Sequence, residues 1–73
     1  MKFATIIFVN CVSSLFSLKK ISSEKRGELV DTWVSAVKCR NLETMNSLLN
    51  AVLLMTENER FRSDIRQAIS SLE

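Results

Sequence analysis

Cys11 and Cys39 are the two side chains with covalent chemistry to offer, and neither sits in a pattern that would use it. They are too far apart for a CxxC redox pair. With no histidine in the chain, nothing completes a zinc site around them. Cys39 lies between Lys38 and Arg40, and neighbouring cations favour a thiolate, but no base or acid accompanies it. The lack of histidine also removes the commonest general base. Gly27 is the sole glycine, so a phosphate-cradling loop cannot be built. No catalytic, cofactor-binding or metal-binding residue is expected, and the reading is a protein that is not an enzyme.

The charged residues offer electrostatics instead. Arg60 has Asp64 four positions on, whereas Arg62 has Arg66 there. Arg62 and Arg66 are therefore the least neutralised cations outside the cluster of Lys19, Lys20, Lys25 and Arg26. Glu24, Glu28 and Asp31 form an acidic stripe that could meet such cations across an interface, although stripes of this kind are more often hydrated surface. Trp33, the only tryptophan, is of the type enriched at binding hot spots. In so small a chain it reads first as core, with its N–H near an edge.

These residues must be positioned by helices. The chain has 73 residues, no proline and a single glycine, so sheet turns and linkers are missing and one domain is expected. Four amphipathic segments are expected, over residues 4–18, 24–39, 42–55 and 57–72. Ser22 or Ser23 would cap the second and Asn41 the third. The run Thr56, Glu57, Asn58, Glu59 fits a capping box for the fourth. In the first, Asn10, Ser13, Ser14 and Ser17 make a weakly polar stripe. The expected core is Leu29, Trp33, Val37, Met45, Leu49, Val52, Phe61, Ile65 and Ile69, each central to its apolar arc. The fold class is all-α, a bundle of four short helices.

Residues 3–18 carry no charge, and residues 42–55 show only a narrow polar edge. Both segments ask for a central place that a small bundle has little room to give, which suggests completion by a homodimer or a protein partner. The expected function is a small cytoplasmic interaction module, an inhibitor, adaptor or subunit. Ile7, Phe8, Val12 and Leu15 are taken as the outer positions of helix one that touch the partner, with Arg62 and Arg66 second.

Three alternatives compete with that reading. One assigns residues 3–18 to a membrane surface, with Lys19, Lys20, Lys25 and Arg26 at anionic headgroups, and another makes them an export signal cut near Val12, Ser13 and Ser14. If the first segment were instead a strand, a ribbon-helix-helix regulator would be suggested. Neither strand face supplies the polar side chains that read base edges, and a net charge of +2 is too balanced for nucleic acid. The rich Lys, Asn, Ile and Ser content is compatible with a phage or mobile-element origin.

Overall fold

In the computed structural model, which describes residues 2–72, the chain forms α1 (Lys2–Ser17), α2 (Ser23–Lys38), α3 (Leu42–Met55) and α4 (Glu59–Leu72). Helix starts are fixed by side-chain acceptors for backbone N–H groups that have no intrahelical partner. The Ser22 hydroxyl accepts from the Lys25 N–H at 3.0 Å, and the Asn41 side chain accepts from the Thr44 N–H at 3.1 Å. At α4 the structure corrects the capping box. Asn58 is the cap, its Oδ1 accepting from the Arg60 N–H at 2.9 Å and the Phe61 N–H at 3.4 Å. The Thr56 hydroxyl turns back instead, donating to the Val52 carbonyl at 2.7 Å as part of the end of α3. Thr56 is buried there, where a hydroxyl must find a nearby acceptor.

The first two turns share one device. Lys19 and Arg40 adopt the left-handed conformation, with φ of 60° and 53°. Lys20 N–H then reaches the Leu15 carbonyl at 2.9 Å, and Asn41 N–H reaches Ala36 at 2.9 Å, the long bond of a Schellman end in each case. Glycine usually takes that position, so both lysine and arginine hold it at a backbone cost.

The layout answers the competition for a central place. α1 packs against all three other helices and α3 does the same, whereas α2 and α4 do not touch each other among the described residues. The two most apolar helices thus lie across the short diagonal, and the two more polar ones flank them. The shared core contains Ala4, Phe8, Cys11, Val12 and Leu15 of α1, Leu29, Trp33 and Ala36 of α2, Met45, Leu49 and Val52 of α3, and Ile65 and Ala68 of α4. Val37, Phe61 and Ile69, expected at its centre, are partly buried and pack against its edge.

An aromatic pair joins α1 to α2. The Phe8 and Trp33 rings stack with centroids 4.4 Å apart and planes 10° from parallel. Trp33 is fully buried, so its indole N–H needs a partner, and it donates to Thr5 Oγ1 at 3.1 Å. Stacking both rings on one side fixes the rotation of α1.

Candidate interaction surface

The rotation of α1 decides which of its residues can meet a partner. Successive residues advance about 100° around a helix. With Phe8 pointing at Trp33, Asn10, Ser13 and Ser17 fall on the opposite, exposed side. The polar stripe is thus the outer face, and its phase corrects the expected contact set. Phe8 and Val12 are wholly buried, Leu15 is nearly so, and Ile7 is half-covered against the core. The outward apolar residues are instead Phe3, Ile6 and Val9, at 46, 52 and 37 % exposure. They cluster at the N-terminal half, and small polar side chains continue the face toward Ser17. The signal for this phase was in the sequence: the polar stripe that marks the helix also marks its wet side.

Much of the surplus apolar surface is therefore hidden. Apart from α1, the large apolar residues left exposed among the described residues are Leu18, Val34, Leu42 and Leu54, the last at 86 %. No helix among the described residues is long and apolar enough to cross a membrane.

Arg62 is not a free cation. Its Nη1 donates to the Leu53 carbonyl at 2.8 Å and to the Thr56 carbonyl at 2.9 Å, and its Nε lies 4.0 Å from Glu59. A guanidinium placed there satisfies carbonyls at the end of α3 and meets the negative end of its dipole. Only the crossing of α3 and α4 brings these groups together, so spacing along α4 alone gave no sign of it. Arg66 is exposed, as expected of a surface cation. The basic cluster is also partly engaged. Arg26 lies over the Phe16 ring at 4.6 Å, and Lys20 pairs with Glu57 at 3.1 Å.

That Lys20–Glu57 pair stands at the rim of a cleft of about 380 Å³ between the end of α1 and the α3–α4 junction. Its walls include Leu15, Leu18 and Phe61, and Cys11 lines it as well. Burial, with a smaller contribution from nearby Asp64, pushes the Cys11 thiol up to about 11, so it is neutral at ordinary pH. Cys39 is exposed and far from this cleft in the fold, at the end of α2. No group of three or more metal-ligating side chains occurs among the described residues. No family model, curated protein or solved structure matches the chain.

Proposed function

We propose that this protein is a non-enzymatic helical interaction module that docks a protein partner on the outer face of α1. One observation carries the reading: Phe3, Ile6 and Val9 are large, apolar and exposed side by side on a helix whose opposite side is fully committed to the core. The charge around that face selects the partner. Lys2 stands at one end of α1, Lys19 and Lys20 follow the other, and the helix itself contains no acid. A second copy laid α1 against α1 in parallel would set Lys2 against Lys2 beside the patch. A different chain, presenting an apolar helix face bordered by carboxylates, fits better.

The test is a photo-crosslinker at position 6, combined with Ile6→Asp and sedimentation of the purified protein. The expected result is a specific crosslinked partner with acidic flanks to its contact surface. Ile6→Asp should lose that partner while circular dichroism stays unchanged. A stable dimer crosslinked through position 6 would replace the partner by a second copy. Flotation with anionic vesicles that Ile6→Asp abolishes would replace it by a lipid surface.

A further inference from the structure

We propose that the cleft between the end of α1 and the α3–α4 junction binds a single-chain anionic amphiphile, an alkyl carboxylate. This inference is separate from the α1 outer face and does not depend on it. At about 380 Å³ the cleft falls within the range of small-ligand sites. Leu15, Leu18 and Phe61 give it apolar walls. Two polar side chains in the lining are already engaged: the Thr56 hydroxyl donates to Val52, and Asn58 Oδ1 accepts from two N–H groups of α4. With Ser14 as the one further neutral polar side chain in the lining, the interior suits an apolar chain better than a sugar or a nucleotide.

The rim supplies the charge. The Lys20 side chain is only 33 % exposed, and its ammonium faces the Glu57 carboxylate at 3.1 Å. Glu57 is 88 % exposed, so its carboxylate is well solvated and little is lost when it swings away. A ligand carboxylate can take its place on Lys20 while the attached chain enters between Leu18 and Phe61. Transfer of that chain from water supplies most of the binding free energy, and Lys20 supplies the preference for an anion.

The test is a titration of the full chain, followed by amide NMR, with decanoate, decanol and decyltrimethylammonium, each below its micelle threshold. Decanoate should give saturable shifts confined to Leu15, Leu18, Lys20, Glu57 and Phe61, and should bind more tightly than the cation of equal chain length. Lys20→Gln should weaken decanoate by up to about fivefold and leave decanol unchanged. The variant's spectrum shows directly whether it is folded. Equal affinity for anion and cation, equal weakening of decanol by Lys20→Gln, or shifts that never saturate would each overturn the proposal. Shifts centred on Phe3, Ile6 and Val9 would do so too, by placing the chain on the other face.

Discussion

Along α1 the inward face carries Ala4, Phe8, Cys11, Val12 and Leu15, and the outward face carries Phe3, Ile6, Asn10, Ser13 and Ser17. Over the first two turns the faces are equally apolar, so hydrophobicity alone does not assign them. Two other features do. Asn10, Ser13 and Ser17 lower the cost of exposing one side, and the Phe8 ring finds a flat partner in Trp33 on the other. A helix with no charge beyond Lys2 is therefore oriented by a few small polar groups and one aromatic stack. What remains apolar and outside is a local patch rather than a whole helix.

The inner face should yield the largest effects. Phe8→Ala is expected to cost about 3–5 kcal/mol of stability, as for buried aromatic residues elsewhere. Urea unfolding measures it. A loss below about 1 kcal/mol would erase the contrast between the faces and turn α1 over.

Cys11, on the same buried side, extends the contrast to pH. Its thiol is raised from an ordinary value of 9.0 to about 11, chiefly by burial. Above the ordinary value the unfolded thiol releases a proton that the folded one keeps, so the unfolded state gains. Stability should thus be intact below about pH 9 and fall as pH rises toward 11, by on the order of 2–3 kcal/mol in all. Thermal melts of the parent and Cys11→Ala isolate this dependence from the lysines. Equal slopes in the two proteins would show a thiol open to water.

Trp33→Phe should be milder. It keeps an aromatic ring against Phe8 but removes the donor to Thr5, together with some indole volume. A cost of about 1–2 kcal/mol is expected from denaturant midpoints. A neutral result would mean that ring stacking alone holds α1 in its rotation.

These side chains also show how far local pattern reaches. The α3 span and the caps Ser22 and Asn41 were legible because each depends on residues within one turn. Leu29, Trp33, Met45, Leu49, Val52 and Ile65 were legible as core because their helices carry charge or amide groups on the far side. Phe8, Val12 and Leu15 were assigned to the wrong face because three serines and an asparagine are a faint marker beside so many apolar neighbours. Thr56 and Asn58 both suit a cap, and the choice between them came from the burial of Thr56 at the end of α3. The Arg62 contacts and the Lys20–Glu57 pair depend on how distant helix ends meet, which no single helix encodes.

The smallest effect on stability should come from the outer face, and it is the most discriminating. Ile6 is 52 % exposed and centred among the wet residues of α1. An aspartate there can keep its hydration, so Ile6→Asp should change stability by no more than about 0.5 kcal/mol, the usual range for surface positions. Its carboxylate would nevertheless lie in the middle of a docked apolar face, where an unpaired charge is heavily penalised. Association should therefore be lost while the unfolding curve stays in place, the reverse of Phe8→Ala acting through the fold. Leu54→Asp serves as the control, because Leu54 is the most exposed large apolar residue described and lies on α3. If Leu54→Asp abolished association and Ile6→Asp did not, the docking face would belong to α3, and the exposed patch on α1 would be ordinary surface.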